Sequence, residues 1–461
     1  MTINNHKNLS LFSLTWPLFI EFFLYMLMGN ADTLMLSLYS DNSVAAVGVS
    51  NQILSLVIVM FGFIAAGTAI LVAQNLGAKN PLAAAQISVI SLVTNLLFGL
   101  VLSISVFLAS RNLLQLMDLP PELMGEADSY LSIVGGFSFM QAIIMTAGAI
   151  IRSYGFTRDS MFVTIGMNIL NIIGNYLFIF GPFGFPVLGV EGVAISTSFS
   201  RFIGFVVIMI LLVKRIPQKL EFFKVFKMPF VHLKNLLEIG IPAAGEQLSY
   251  NGSQMVITFF ITSLGTEALT TRVYTTNLMM FIYLFAIALA QGTQILIGHQ
   301  IGARQYNEAY SRCLKSLRLS ILISFLCALV FAIFSKPLLS IFTDNPSILL
   351  IGSLLMWMTI ILEPGRAFNI VIINSLRATG DVRFPVIVGI LSMWGVSVTL
   401  SYFLGIYLGW GLFGIWIAFI ADEWLRGILM LHRWKSKKWM KKSFIHPKQE
   451  PLSEQNIEQV S

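Results

Sequence analysis

Charged residues are scarce in this chain. Of its 461 residues, 11% are Asp, Glu, Lys or Arg and 56% are hydrophobic, and the mean hydropathy is +0.80. A soluble protein of this length carries about 25% charged residues. The scarcity of charge therefore excludes a soluble globular protein and indicates a chain that crosses a membrane many times.

Cysteine is almost absent, and the sequence patterns of enzymes are missing. The two cysteines, Cys313 and Cys327, lie in or beside apolar segments, which excludes a disulfide framework. The sequence shows no metal-ligand spacing, no phosphate-binding loop and no nucleophile–base set. We therefore predict that the protein is not an enzyme, needs no cofactor and lacks the soluble nucleotide-binding domain of a primary pump.

Twelve stretches are apolar and long enough to cross a bilayer as helices, which takes about 20 residues each. Because only helices and closed barrels span bilayers, we predict an all-α polytopic membrane protein of two six-helix bundles. The first six spans lie near 12–37, 46–73, 85–108, 128–150, 161–181 and 190–213. The second six lie near 236–262, 270–299, 316–335, 349–375, 385–407 and 411–433.

Polar segments divide the chain into four predicted parts. These are an N-terminal lobe at 1–213, a basic cytoplasmic linker at 214–235, a C-terminal lobe at 236–433 and a polar cytoplasmic tail at 434–461.

Basic residues are concentrated in alternate connections, whereas the connections between them carry mainly acidic residues such as Asp41 and Glu122. Cytoplasmic loops hold the excess of Lys and Arg, so we expect both termini in the cytoplasm and the protein in a bacterial inner (plasma) membrane. This distribution relates the net charge of +7 to membrane topology and not to nucleic-acid binding.

The two halves of the chain repeat one another. The matched positions are Pro17 with Pro242, Glu21 with Glu246, Gly67 with Gly292, Arg152 with Arg377 and Gly155 with Gly380, each 225 residues apart (for example 377−152). Near the end, GVEG at Gly189 pairs with GLFG at Gly411, at an offset of 222 (411−189). A shift by six spans predicts halves related by an axis along the membrane normal, and such halves commonly enclose a site near the midplane.

One polar set is confined to the first half. Its members are Asp32 in the first span, Asn168, Asn171 and Asn175 along one face of the fifth, and Thr197 in the sixth. The repeat mates are all apolar: Ile257, Met393, Val396, Leu400 and Phe419.

A carboxylate, amide oxygens and a hydroxyl are hard oxygen donors, which suit Na⁺ or a proton held on the acid. We therefore predict a cation site made of Asp32, Asn171, Asn175 and Thr197. The alternative is a set of hydrogen bonds that only holds helices together.

A second polar set contains Glu246, Glu363 and Arg366. Glu246 lies 12 residues past Lys234, and Arg366 lies 11 residues before Arg377 (246−234, 377−366). At 1.5 Å per residue both are about 17 Å deep, near the middle of the membrane. The set is either a self-neutralised structural group or a group for substrate binding or coupling.

The first-half mates of Glu246 and Arg366 are Glu21 and Gln141, which are also polar, so the shared feature favours architecture. Other ionisable residues lie in the last span of each half and are expected to pair near helix ends or to extend to the interface: Arg201, Asp422, Glu423 and Arg426.

Together these motifs resemble the multidrug and toxic compound extrusion (MATE) family of secondary transporters, from about residue 10 to residue 435. The resemblance rests on PLFIEFFLYMLMGNADTLMLSLYSDNSVAAVGVSNQI, LGAKN, IGARQ, RSYGFTRD, LRATGDVRFP, NIIGNYLFIFG and GVEGVAIST. It implies a twelve-helix antiporter that exports organic cations or other amphiphilic drugs in exchange for Na⁺ or H⁺ by alternating access of two lobes.

The resemblance also implies that the cation site is the set that contains Asp32. Many members carry a second acid where this chain has Asn175, and NorM-like members carry acids in the seventh and tenth spans. In this chain the seventh-span acid, Glu246, is displaced towards Pro242 relative to those members, and Arg366 stands in the tenth span where an acid is expected. We expect a monomer whose partners are amphiphilic small molecules and the lipid bilayer.

Three alternatives remain open from the sequence. A flippase of a lipid-linked precursor should have a more cationic central cavity, and an exporter of one specific metabolite would share this architecture. A channel would need no coupling carboxylate.

Overall fold

The computed structural model describes residues 9–445; residues 1–8 and 446–461, which include most of the predicted tail, lie outside the described part. Helices make up nearly all of residues 9–445, and no strand occurs in that range. The helices of the first half are α1 (Leu11–Ser37), α2 (Asp41–Gly77), α3 (Pro81–Gln115), α4 (Pro121–Gly136), α5 (Phe139–Ser153), α6 (Thr157–Phe180) and α7 (Gly189–Arg215). Those of the second half are α8 (Phe230–Thr262), α9 (Thr266–Gly302), α10 (Tyr306–Ile333), α11 (Ser335–Leu339), α12 (Pro346–Thr379), α13 (Arg383–Ser392) and α14 (Gly411–Lys435).

Nine spans in the described range are long and apolar enough to cross a membrane, and the bent pair α4 and α5 makes a tenth. Two more helices have the length but carry buried ionisable residues: α8 with 33 residues and α14 with 25. The prediction of an all-α polytopic membrane protein is confirmed. The predicted division into lobes, linker and tail stays a prediction.

The predicted span at 128–150 is two helices. The axes of α4 and α5 differ by 44°. Ser103 of α3 lies at the break, where its hydroxyl accepts the backbone N–H of Phe139 at 2.9 Å and bonds the Ser138 hydroxyl at 2.9 Å. The hydrogen bond that the break removes from the helix is replaced by one from α3. Hydropathy does not register such a replacement, so the sequence predicts one continuous helix here.

The backbone repeats at the offsets predicted from the sequence. The matched left-handed residues are Lys79 and Arg304 (φ 55° and 59°), Gly155 and Gly380 (90° and 95°), and Gly189 and Gly411 (54° and 56°). Positive φ is uncommon for residues with side chains, so its presence at both Lys79 and Arg304 shows the same turn after α2 and after α9. The two halves therefore share their helix ends as well as their helices.

The halves meet where the ends of α2 and α9 cross. A Cβ atom on Gly77 would lie 2.0 Å from the backbone oxygen of His299, and one on Gly302 would lie 1.9 Å from that of Gln74. Only residues without a side chain let two helix backbones approach so closely. Gly77 and Gly302 are repeat mates, as are Gln74 and His299, so the pseudo-twofold axis passes through this crossing.

Side chains extend the crossing with the same symmetry. The amide nitrogen Nε2 of Gln74 donates to the backbone oxygen of Ala378 at 2.7 Å, and Nε2 of His299 lies 2.8 Å from that of Ser153. Ser153 and Ala378 are also repeat mates. The crossing joins each half to the end of the other half's α5 or α12, and it closes one face of the cleft between them.

The chain after α14 folds back onto this crossing. Trp439 stacks on Trp434 with ring centroids 4.3 Å apart. The side-chain oxygen of Gln74 accepts the backbone N–H of Phe444 at 3.2 Å and lies 3.3 Å from the Ser443 hydroxyl. One glutamine of the first half thus holds both α12 and the segment that follows α14.

We predict that Gly77→Ala destabilises the protein. The added methyl group must displace the α9 backbone, and overpacking of this kind costs about 1–3 kcal/mol. Thermal unfolding of the purified protein in detergent measures the effect. Gly48→Ala on the same helix is the matched control, because a Cβ atom there meets nothing within 4 Å. Equal unfolding midpoints for the two variants would show that the crossing is not tightly packed.

Candidate functional site

The four residues of the predicted cation site lie together in the first half. The Asn175 amide donates to a carboxylate oxygen of Asp32 at 2.5 Å, and the Asn171 amide donates to the Thr197 hydroxyl at 3.1 Å. Packing of α6 against α1 and α7 brings these side chains together. Asp32 is only 4% exposed.

Two acceptors in this site have no donor. The side-chain oxygens of Asn171 and Asn175 are buried and make no hydrogen bond. A buried acceptor left without a partner costs about 1–3 kcal/mol. A cation bound between these oxygens and the Asp32 carboxylate would satisfy them, and amide and carboxylate oxygens are the ligands that hard cations prefer.

Asn168 does not belong to the site, although it lies on the same helix. Its amide donates to the backbone oxygen of Thr164, one turn earlier on α6, at 2.9 Å. Successive steps of three and four residues therefore brought three asparagines into one predicted face, but only the side chains of the last two form hydrogen bonds with other helices.

Three further residues surround the site, and the sequence did not predict them there. The Tyr130 hydroxyl lies 3.4 Å from the side-chain oxygen of Asn51 and close to Asp32. Arg201 is 9% exposed and close enough to Asp32 for electrostatic attraction, without a direct ion pair. The expectation that Arg201 serves at a helix end is wrong; it follows Thr197 by one helical turn, a spacing that signals the shared face.

Two ion pairs occupy matching positions in the two halves. Arg152 donates to Glu21 at 2.8 Å, and Arg377 donates to Glu246 at 2.6 Å. Ser160 donates to the same Glu21 oxygen at 3.0 Å. All four charged residues stand at the 225-residue offset, which was the sequence signal for the pairing.

The predicted grouping of Glu246 with Glu363 and Arg366 is therefore wrong. The assumed equal depth of Glu246 and Arg366 is the error: Glu246 pairs with Arg377, which lies about three helical turns from Arg366 on nearly the same face of α12. Arg366 does bind Glu363, at 2.7 Å, as the spacing within α12 predicted.

A buried charge network extends from Glu363 into α14. Its links are Arg366 to Glu423 at 3.6 Å, Arg426 to Glu423 at 3.1 Å, Arg426 to Asp422 at 2.7 Å and Ser392 to Asp422 at 2.5 Å. Asp422 and Arg426 are 4% and 6% exposed, which contradicts the expected position at a helix end. Two arginines share three carboxylates in this network, which links α12 to α14.

A cavity of about 490 Å³ lies between the halves, one to two turns beyond the helix crossing. Glu21, Gln141, Arg152 and Arg377 line it. The second half contributes three amides, Gln291, Gln294 and Asn374, where the first half has the repeat mates Ala66, Ala69 and Ala149. The cavity thus has an amide-rich wall and an alanine-rich wall, and its carboxylate Glu21 is paired.

Two repeated helical halves with a cavity between them are typical of one class of protein, the membrane transporters. A family model, MatE, matches residues 17–177 and 242–403, segments that begin at the repeat mates Pro17 and Pro242. The chain belongs to the MatE family. It is therefore a multi-pass membrane transporter of the multidrug-efflux type and not an enzyme.

Relatives cover almost the whole chain. It is 58% identical over 436 residues to YisQ, an uncharacterized transporter of Bacillus subtilis strain 168. That match covers 95% of this chain and 96% of YisQ. It is 29% identical over 440 residues to a probable multidrug resistance protein NorM of Thermotoga maritima, which covers 94% of each.

Among solved structures, the fold is similar to that of a multidrug resistance MATE family transporter of the MOP superfamily in an outward-facing conformation. The TM-score is 0.85 at 20% identity, and the match covers 94% of this chain and 96% of the other. At that identity the likeness shows the fold alone.

We predict that Glu21→Gln destabilises the protein, because it leaves Arg152 partly buried without its carboxylate. Removal of one partner of a buried ion pair typically costs about 3–5 kcal/mol. Thermal unfolding in detergent measures the loss of stability. The double variant Glu21→Gln, Arg152→Gln should lose less stability than the sum of the losses in the two single variants.

The control for this cycle is Glu221→Gln, which removes the carboxylate of an exposed pair with Lys224. We expect it to leave the unfolding midpoint nearly unchanged, because exposed pairs contribute little. Strictly additive losses in the double variant would show that Glu21 and Arg152 are not coupled.

Proposed function

We propose that this protein is a secondary antiporter that exports amphiphilic or cationic drugs in exchange for Na⁺ or H⁺. The observation that supports it is Asp32, a buried carboxylate beside two unpartnered amide oxygens in the first half only. An ionisable group inside a membrane is expensive, so it marks an ion or proton pathway by default.

The remaining buried carboxylates have other tasks in this proposal. Glu21 and Glu246 are each paired with an arginine, and Glu363 with Arg366. Asp32 has the amide of Asn175 as its donor and no direct ion pair. A proton or Na⁺ therefore meets less competition at Asp32 than at a paired carboxylate.

Coupling requires that ion and substrate bind the two facing states with different affinities. A membrane potential of 100 mV supplies about 2.3 kcal/mol per charge, which changes a binding equilibrium about 50-fold. In this mechanism cation binding at Asp32 alters the packing of α1 against α6, and the helix crossing separates and re-forms as the lobes alternate. The drug occupies the central cavity.

The proposed setting is a bacterial plasma membrane with both termini in the cytoplasm. The closed face carries Lys79 and Arg304 at its turns and the basic ends of α7 and α14, as a cytoplasmic face should. We propose that the transporter works as a monomer.

The amide-rich wall supports a second candidate, the export of a polar uncharged or zwitterionic metabolite. Gln291 and Gln294 line the cavity and make no side-chain hydrogen bond, so their donors and acceptors are available to a ligand. If the protein exports a metabolite of that kind, neutral polar compounds should inhibit transport by competition. If it exports organic cations, they should not.

We predict that Asp32→Asn abolishes gradient-driven efflux while the protein still folds. The assay measures efflux of a cationic dye such as ethidium from loaded proteoliposomes. Na⁺ and H⁺ gradients are imposed in separate runs, and the gradient that drives efflux identifies the coupling ion. Efflux that survives in Asp32→Asn would exclude Asp32 as the coupling site. An absence of dye movement in the wild-type protein under both gradients would leave the metabolite exporter.

A matched pair of asparagine variants separates coupling from helix packing. Asn171→Ala removes a site ligand and should lower gradient-driven efflux at least about tenfold, the effect of about 1.4 kcal/mol. Asn168→Ala removes an amide on the same helix that bonds only its own backbone, and its efflux should stay near the wild-type rate. Equal losses in both variants would show that these asparagines serve packing alone.

A further inference from the structure

The connection between α7 and α8 exposes aromatic residues beside lysines. It contains a 3₁₀ turn at Phe222–Lys227, where Phe223 is 103% and Phe226 95% exposed. Full exposure of two large apolar rings to water is unfavourable. The turn connects the end of α7 to the start of α8, and since both helices are predicted spans, we place the two rings near the edge of the membrane.

The opposite side of the same connection is anchored to the first half. Ile216 is buried in the core of that half, and Leu220 and Phe222 pack against it. His232, in the first turn of α8, lies 3.3 Å from the Gln86 side chain of α3. The segment is therefore held in place, and Phe223 and Phe226 point outward from a fixed support.

A small cavity of about 110 Å³ opens between this connection and the start of α3. Lys219, Lys224 and Lys227 line it from one side. Leu82 and Gln86 of α3 line the other. Of the three lysines, only Lys224 forms an ion pair, with Glu221 at 2.8 Å. The site thus carries three ammonium groups and one carboxylate.

We propose that this cavity binds the headgroup phosphate of an anionic phospholipid. Lys219 and Lys227 contact the phosphate, while Phe223 and Phe226 enter the boundary between headgroups and acyl chains. Aromatic rings partition into that boundary, and lysines near it attract anionic lipids. The exposed Leu82 on α3 offers an apolar surface beside the headgroup for an acyl chain.

The position of two exposed phenylalanines beside the lysines favours a lipid over a soluble anionic partner. An acidic peptide or a nucleic acid would satisfy the lysines and leave the two phenylalanines in water. A lipid at the membrane edge satisfies the charges and the rings at the same time.

The test uses the full-length protein in detergent, titrated with phosphatidylglycerol and with phosphatidylcholine of the same acyl chains, and native mass spectrometry to count bound lipids. We expect the wild-type protein to bind phosphatidylglycerol at least about tenfold more tightly. The triple variant Lys219→Gln, Lys224→Gln, Lys227→Gln should weaken binding of phosphatidylglycerol roughly 100-fold, since each lysine near an anionic surface contributes a factor of about five.

The matched control is Lys435→Gln, Lys438→Gln, Lys441→Gln, which removes the same charge from exposed positions at the end of α14 and in the segment that follows it. It should keep the wild-type preference. The variant Phe223→Ser, Phe226→Ser should lower the affinity for both lipids by the same factor, so that the ratio of the two affinities stays at the wild-type value. Unfolding midpoints equal to the wild-type value would show that each variant is folded.

Three results would overturn the proposal. The first is a wild-type protein that does not distinguish the two lipids, and the second is a control that loses as much affinity as the triple variant. The third is displacement of phosphatidylglycerol by inorganic phosphate at equal concentration, which would indicate a site for a free anion. None of these measurements needs a transport gradient, so their failure is separate from failure of the proposed antiport.

Discussion

The close contact of α2 and α9 at Gly77 and Gly302 is the constraint on which the rest of the structure depends. Backbone meets backbone there, and a single methyl group on either glycine would be in steric conflict. The crossing fixes the axis that relates the halves and closes one face of the cleft. The central cavity begins one to two helical turns beyond this point.

Part of the buried charge follows the same symmetry, and part of it belongs to one half alone. The pairs Glu21–Arg152 and Glu246–Arg377 occur in both halves and neutralise themselves. Asp32 has no acidic mate, because Ile257 stands at the equivalent position. The symmetric charges hold helices together within each half, and the proposed coupling function uses Asp32, a carboxylate without an acidic mate.

Sequence alone predicted the repeat, the fold and the cluster around Asp32, because each leaves a pattern along the chain. It did not predict the partner of Glu246, since a residue count from a basic loop gives depth too coarsely to choose between Arg366 and Arg377, which lie on nearly the same face of α12. The break between α4 and α5 was also hidden, because Ser103, which stabilises it, comes from another helix. Arg201 and Arg426 were expected at helix ends because an arginine in a span usually extends to the interface. Asp422 and Glu423, which pair with Arg426, lie only one turn away, but the sequence does not show that this turn is buried.

Gln74 holds the segment after α14 through its side-chain oxygen and α12 through its nitrogen. The closed face therefore orders a stretch of chain that does not belong to either helical bundle. Separation of α2 from α9 would release that stretch, and each freed residue regains about 1–2 kcal/mol of backbone entropy as TΔS. In the proposed mechanism the balance between the two facing states would therefore contain a conformational-entropy term, which favours the opened crossing increasingly as temperature rises.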